Sequence, residues 1–228
     1  MGEVGFASTF LNARVAAEYA PRIAEGLALT VALAALVVAA GLAAGLGLAV
    51  ARAALRSRWL AAPIVVFVDV FRALPPLVVL VLLYFGLPAS GLSLSGFWAT
   101  WLTLALVLAA FSEEVFWAGL QAVPRGQWDA ARALGLSFLA ALRRVALPQA
   151  LRMCLPPLAN RTVAITKGTA LGSVVGVSEV LGAAQSATAF SGNPTPLVLG
   201  AAAYLLLFAP VVALARRLER SRARGAAA

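Results

Sequence analysis

Hydrophobic residues follow one another in five long runs, and polar residues collect in the shorter segments between them. A bilayer core about 30 Å thick is crossed by roughly 20 apolar residues of helix. Five segments reach that length: 27–51, one within 59–87, 97 to about 119, about 155 to 184, and 197–215. The second is interrupted by Pro75 and Pro76, and the fourth is rich in polar residues and in glycines that would allow it to bend or break. The pattern predicts an all-α integral membrane protein with five transmembrane helices.

Arginine is unevenly distributed between the two ends of these helices, and cytoplasmic segments carry the excess of basic residues. With five spans, the chain ends lie on opposite sides of the membrane. One side has only Arg14 and Arg22. The other has Arg52, Arg56, Arg58, Arg125, Arg132, Arg143, Arg144, Arg152, Arg216, Arg217, Arg220, Arg222 and Arg224. The N-terminus is therefore predicted outside and the C-terminus in the cytoplasm, with a periplasmic or interfacial segment 1–22, a transmembrane domain 23–217 and a basic tail 218–228.

Composition supports a membrane protein and excludes several other classes. Hydrophobic residues make up 62% of the chain and charged residues 12%, whereas a soluble domain has about half and a quarter. The net charge of +9 is spread in short clusters between apolar runs, so we expect contact with lipid and none with nucleic acid. One cysteine and no histidine argue against an intrachain disulfide and a metal site. The first 22 residues lack the basic and apolar regions of a signal peptide.

The polar segment 123–148, here called the coupling loop, predicts two short helices joined at a glycine. Pro124 precedes a run of helix formers, and Gly135 follows it as a left-handed stop. Ser137 is placed as the N-cap of a second helix, 138–146, which we expect to end at Pro148. The alternative is an ordinary cytoplasmic loop that is basic only for topology.

The residues of this loop resemble a known motif. Asp129-Ala130-Ala131, then Gly135, then Leu147-Pro148 have the spacing of the EAA loop, by which permease subunits of bacterial ABC importers bind their ATPase. Asp129 occupies the position at which this motif usually has a glutamate. The flanking segments 123–128 and 147–152, together with 71–75 (FRALP) and 82–88 (LLYFGLP), resemble polar amino-acid permeases of the histidine, glutamine and arginine type. The resemblance extends over about residues 26–217.

The resemblance implies a permease subunit that moves a polar amino acid across the inner membrane by alternating access. Its implied partners are a second permease, identical or different, two cytoplasmic ATPase subunits and an extracytoplasmic substrate-binding protein. The chain would not be an enzyme and would hold no cofactor, because its one lysine, Lys167, is not in a P-loop; ATP and Mg would bind to the ATPase. The residues implied in ATPase coupling are Asp129, Ala130, Ala131, Gly135, Leu147 and Pro148.

Ionisable residues inside the predicted spans need a partner or a wet cavity. The candidates for the substrate path are Arg72, Glu114, Asn160, Lys167 and Thr169. Asp69 and Arg72 are three residues apart and could pair on one helix face. Glu113 and Glu114 point about 100° apart, so only one faces the path, and Glu114 aligns with the acid of the family.

Two departures from the family affect this path. Trp117 stands where the family has an arginine, so Glu114 is expected to lack an intrahelical partner and to meet the substrate amine, Arg161 or Lys167. An unpaired carboxylate would repel acidic amino acids, which favours a cationic or polar one. The Asn-Glu pair of the family is Asn160-Arg161 here.

Two kinds of alternative remain. The same scaffold could carry another small solute, such as methionine, an opine or an ectoine-like osmolyte. A membrane channel or an intramembrane enzyme is the other class. An enzyme would need a catalytic set, which the absence of histidine and of a GxSxG motif argues against, and a channel would leave the coupling loop unexplained.

Overall fold

The computed structural model describes residues 5–55 and 57–225, with side chains up to Arg217 apart from that of Ala7. This part of the chain is helical and contains no strand, as predicted. The predictions for residues 1–4, Arg56, the tail side chains from 218 onward and residues 226–228 lie outside the described residues. The helices are α1 (Phe6–Phe10), α2 (Ala13–Ala54), α3 (Arg58–Ala73), α4 (Pro76–Val81), α5 (Gly96–Gln121), α6 (Arg125–Ala133), α7 (Phe138–Ala141), α8 (Leu147–Thr166), α9 (Val180–Ser191) and α10 (Thr195–Gly225).

Helix α2 is the central helix of the fold. Its buried residues recur every three or four positions, which is one stripe of a helix: Ile23, Gly26, Thr30, Leu33, Val37, Gly41, Gly45 and Ala49. This stripe packs most extensively against α5, and also against α9 and α10. At 42 residues α2 is about 63 Å long, roughly twice the thickness of the hydrocarbon core. The boundary predicted at residue 22 therefore lies inside a continuous helix.

Glycines allow α2 to approach α5 closely. A Cβ on Gly41 would lie 2.7 Å from the Cβ of Leu108, and one on Gly45 would lie 2.6 Å from the Cβ of Ser112. Neither distance leaves room for a side chain. Small residues commonly have this role in membrane helices, because they let a neighbouring helix approach closely. At Gly47, by contrast, a Cβ would meet no atom within 4 Å.

The predicted second span is bent. Helices α3 and α4 meet at an angle of 105° around Leu74 and Pro75, and the chain then continues through a π turn (Leu82–Gly86) and a 3-10 helix (Leu87–Ser90). The cause is the Pro-Pro pair, because proline excludes the helical conformation of the residue before it and cannot donate a backbone hydrogen bond.

Three helical segments of the described chain are long and apolar enough to cross a membrane: Ser8–Ala54, Gly96–Gln121 and Thr195–Arg217. The bent pair makes a fourth if its two helices together are one span. The structure thus confirms the broader prediction, that of a helical protein which crosses the membrane several times. The predicted fourth span is absent from this set because α8 carries too many polar residues.

The predicted break in the fourth region is present. After α8 the chain forms a 3-10 helix (Lys167–Val175), reverses at Gly176 with φ 78° and re-enters a helix at Val180. The hydroxyl of Thr30 accepts the N–H of Val180 at 3.2 Å. The fully buried Glu179 carboxylate accepts the N–H groups of Leu181 and Gly182 at 3.0 and 2.9 Å, and Tyr204 donates its hydroxyl to the same carboxylate. Glu179 therefore closes the break, because free backbone groups are very unfavourable in hydrocarbon.

The glycine contacts give a test with a matched control. Gly45→Ala should destabilise the protein by about 1–3 kcal/mol, because its methyl group must displace α5. Gly47→Ala, two residues away on the same helix, enters open space and should leave stability unchanged or slightly raised. Thermal unfolding of the purified chain in detergent measures the difference. Equal effects at the two positions would show that the close contact with α5 does not limit stability.

Candidate functional site

The first helix of the coupling loop ends as predicted. Helix α6 begins after Pro124, and Gly135 follows it with φ 80°. The N–H of Leu136 bonds to the carbonyl of Ala131 at 3.2 Å, and the N–H of Gly135 bonds to that of Arg132 at 3.0 Å. This pair of bonds is the Schellman motif, which satisfies the last carbonyl groups of a helix and requires a left-handed residue.

The second half of the loop differs from the prediction. Ser137 caps α7 by accepting the N–H of Ala140 at 3.3 Å, as expected. The helix does not end at Pro148, however; it widens into a π turn (Leu142–Ala146) and continues as α8. Pro148 has no N–H, and its ring excludes an ordinary turn before it. The π turn removes that conflict and places Pro148 in the first turn of α8, where no donor is needed.

The six residues implied in coupling divide into two groups. Asp129, Ala130, Gly135 and Pro148 are exposed on the outer side of the loop. Ala131 is buried, and Leu147 packs on the cluster of Leu120, Val123, Leu142, Ala146 and Ala150. The rings of Trp128 and Phe138 stack with their centroids 5.5 Å apart and join the two arms. The loop therefore has a rigid inner face and a free outer face that a partner can contact.

The two adjacent carboxylates of α5 have different surroundings. Glu113 is fully buried and pairs with Arg52 of α2 at 3.1 Å. The Arg52 guanidinium also lies 4.3 Å from the centre of the Trp117 ring. Arg52, Glu113 and Trp117 thus fasten the C-terminal end of α2 to α5. Sequence reasoning missed this contact because Arg52 and Glu113 lie on different helices, 61 residues apart.

Glu114 pairs with Arg72 of α3, and their closest nitrogen and oxygen are 2.5 Å apart. This corrects two predictions: Arg72 pairs with Glu114 instead of Asp69, and the cation that Glu114 meets is Arg72 of α3 instead of Arg161 or Lys167. Position 114 lies about 100° around α5 from position 113 and therefore faces α3. The side chains of Arg72 and Glu114 are 32% and 45% exposed, so this pair lies at a surface of the subunit.

Phe111 lies one turn before Glu114 and contacts two arginines. The guanidinium of Arg72 is 5.6 Å from its ring centre, and that of Arg161 on α8 is 4.7 Å away. We call Arg72, Phe111, Glu114 and Arg161 the Phe111 cluster. It brings together two of the predicted path residues, Arg72 and Glu114, and adds two that were not among them.

The other predicted path residues lie elsewhere. Asn160 is exposed next to Arg161. The Lys167 ammonium lies 5.9 Å from the ring centre of Phe208, in a cavity of about 580 Å³ that Tyr204 and Arg216 also line. Thr169 is fully buried and donates its hydroxyl to the carbonyl of Thr166 at 2.9 Å, so in this conformation it does not face a solute. Among the described residues, no group of His, Cys, Asp and Glu side chains could hold a metal ion.

Comparison with known proteins agrees with this architecture. Residues 41–224 match the family described as "Binding-protein-dependent transport system inner membrane component". The chain is 31% identical over 172 residues, 75% of each chain, to "Probable amino-acid ABC transporter permease protein YckA" of Bacillus subtilis (strain 168). It is 33% identical over 156 residues, 68% of this chain and 71% of the relative, to "Arginine transport system permease protein ArtQ" of the same organism.

A solved structure is similar along almost the whole chain. It is described as "Crystal structure of an amino acid ABC transporter with histidines", and it matches with a TM-score of 0.81 and 31% identity. The match covers 90% of this chain and 96% of that one.

The two ion pairs should contribute unequally to stability. Arg52→Gln leaves the Glu113 carboxylate buried without its counter-charge and should reduce the free energy of unfolding by about 3–5 kcal/mol. Arg72→Gln breaks the partly exposed pair and should change it by about 0–1 kcal/mol. Adding Glu113→Gln to the Arg52 variant should restore part of the loss. Detergent unfolding of the purified chain checks this order, and equal losses in the two arginine variants would contradict it.

Proposed function

We propose that this chain, which belongs to the family of inner membrane components of binding-protein-dependent transport systems, is the permease subunit of an ATP-driven ABC importer for an amino acid. The relatives that match most of this chain are named as amino-acid transporters, which supports an amino acid as the solute. The observation that carries the proposal is the coupling loop, in which a rigid inner face holds Asp129, Ala130, Gly135 and Pro148 outward. This surface is what an ATPase would contact.

The proposal includes partners that supply what this chain lacks. Two cytoplasmic ATPase subunits bind ATP and Mg and dock on the coupling loop. A second permease completes the translocation path, and an extracytoplasmic binding protein delivers the amino acid. Within this chain the path includes Arg72, Glu114, Asn160 and Lys167, whose side chains are all at least partly exposed in the single subunit. Thr169 would join it only after a change of conformation.

We further propose five spans, with the N-terminus outside and the coupling loop and C-terminus in the cytoplasm. In this topology α3 and α4 form the bent second span, and α8 with the 3-10 helix and α9 forms the broken fourth. A polar fourth span is compatible with a bilayer when its polar groups face protein, as the buried Thr30 and Glu179 contacts favour. The arginine distribution supports the orientation.

The coupling role can be tested at Gly135. Valine resists the left-handed conformation that φ 80° imposes, so Gly135→Val should distort the end of α6. We expect the complex to remain in the membrane while transport and substrate-stimulated ATPase activity are lost. Both activities are measured on the permease–ATPase complex reconstituted in liposomes with its binding protein.

Gly91 provides the matched control for this test. It has φ 83°, a substituent there would also meet no atom within 4 Å, and it lies in the loop proposed to face outside. Gly91→Val introduces the same backbone strain and should leave coupling intact. Full transport and ATPase stimulation in the Gly135 variant would refute the coupling role, and equal loss in both variants would attribute the defect to strain alone.

The topology can be tested by cysteine labelling in a Cys154→Ala background. Ser93→Cys should react with a membrane-impermeant maleimide added to spheroplasts, whereas Ser221→Cys should react only after the membrane is opened. These outcomes place the two positions on opposite sides. Labelling of both from outside would require an even number of spans between positions 93 and 221, whereas the five-span arrangement puts three there, and would contradict it.

A further inference from the structure

The Phe111 cluster lies within the hydrocarbon layer. With the rise of an α-helix, Phe111 is about 22 Å from the outer end of α5 at Gly96 and about 15 Å from its inner end at Gln121. Two guanidinium groups from different helices, Arg72 of α3 and Arg161 of α8, lie against its ring at this depth. Charged groups at such a position require a partner or a functional reason.

The charges in this region do not balance. Arg72 has Glu114, but Arg161 and Lys167 form no ion pair within the described residues: the Arg161 guanidinium lies over the ring of Phe111 and the Lys167 ammonium over that of Phe208. Asp69 also lacks an ionic partner there. The carboxylates of Glu113 and Glu179 are already engaged, by Arg52 in one case and by backbone N–H groups and Tyr204 in the other. Within the Phe111 cluster two guanidinium groups, those of Arg72 and Arg161, therefore face one carboxylate, that of Glu114, which leaves an excess positive charge.

The cluster also has unused hydrogen-bond donors. The Nε of Arg72 is buried and has no hydrogen-bond partner. Arg161 is exposed and its guanidinium lies over the face of Phe111, an arrangement in which the N–H groups point outward around the edge of the guanidinium plane. A guanidinium presents its donors in a planar fork that matches a carboxylate. An unsatisfied buried donor is unfavourable, so an incoming carboxylate would be stabilised at this place.

We infer that Arg161 and Arg72 form a carboxylate-binding site in the solute path, and that Arg161 makes this site selective for acidic amino acids. This inference rests on the proposed function. It differs from the preference for a cationic or polar amino acid that the sequence alone suggests, since that preference requires Glu114 to be unpaired. Arg72 neutralises Glu114, so the carboxylate no longer repels an acidic solute, and the second carboxylate of such a solute neutralises Arg161.

The experiment compares two amino acids of nearly equal shape. The permease–ATPase complex is purified in nanodiscs without its binding protein, and equilibrium dialysis measures the binding of radiolabelled L-glutamate, L-glutamine and L-arginine. Glutamate should bind at least about tenfold more tightly than glutamine or arginine, as expected for a hydrogen bond to a charged group. Arg161→Gln should weaken glutamate binding about tenfold and change glutamine binding by less than about twofold, and Arg161→Lys should restore part of the affinity.

Arg22→Gln is the matched control. Arg22 also lies over a phenylalanine, with its guanidinium 5.8 Å from the ring centre of Phe190. It lies near the start of α2, away from the Phe111 cluster. This variant should keep the preference for glutamate. Tighter binding of glutamine or arginine, an equal effect of Arg161→Gln on all three amino acids, or no glutamate binding would overturn the inference.

The assembly of the complex separates two further outcomes. If Arg161→Gln dissociates the permease from its partner subunits, Arg161 pairs with a partner protein and the carboxylate site is refuted. If the wild-type chain does not co-purify with an ATPase, the proposed function itself fails. An intact, coupled complex without a preference for glutamate would refute only the carboxylate site.

Discussion

The close packing of α2 on α5 is the contact on which the rest of the structure depends. Gly41 and Gly45 let the two backbones approach, and this approach brings Arg52 to Glu113 near the C-terminal ends of the helices. Because Glu113 is paired with α2, helix geometry turns Glu114 about 100° away, toward α3. The close approach at two glycines thereby decides which carboxylate is buried in the core and which lies at a surface of the subunit.

The elements that depend on local rules were predictable from the sequence. The glycine stop at Gly135, the cap at Ser137 and the break near Gly176 follow from backbone preferences that a single residue type fixes. The long apolar spans follow from hydropathy. Pro148 was predicted wrongly because the rule for proline in a helix assumes an ordinary turn before it, whereas a π turn accommodates the ring.

The ionic contacts were not predictable in the same way. Spacing on one helix suggests pairs such as Asp69 with Arg72, but the actual partners come from other helices: Arg52 from α2 for Glu113 and Arg72 from α3 for Glu114. Which helices become neighbours depends on the whole packing arrangement, and one sequence does not contain that information at the level of side chains. Glu179 illustrates the same limit. From the sequence it is only an acidic residue before a helix in a polar segment, and nothing there indicates that its side chain is buried and caps the break.

The coupling loop and the Phe111 cluster are connected through α5. Trp117 contacts Arg52 and also lines a cavity of about 260 Å³ together with Trp128 and Asp129 of α6. The ion pair of Arg52 with the fully buried Glu113 holds this part of α5 firmly, since breaking it would leave the Glu113 charge in an apolar surrounding. The Arg72–Glu114 pair is partly exposed, and exposed pairs exchange partners at little expense in free energy. One face of α5 is thus fixed to α2, which also packs beside the coupling loop, while the adjacent face carries charges that can rearrange. In the proposed transporter, this arrangement would let motion at the coupling loop reach the solute path without disrupting the core.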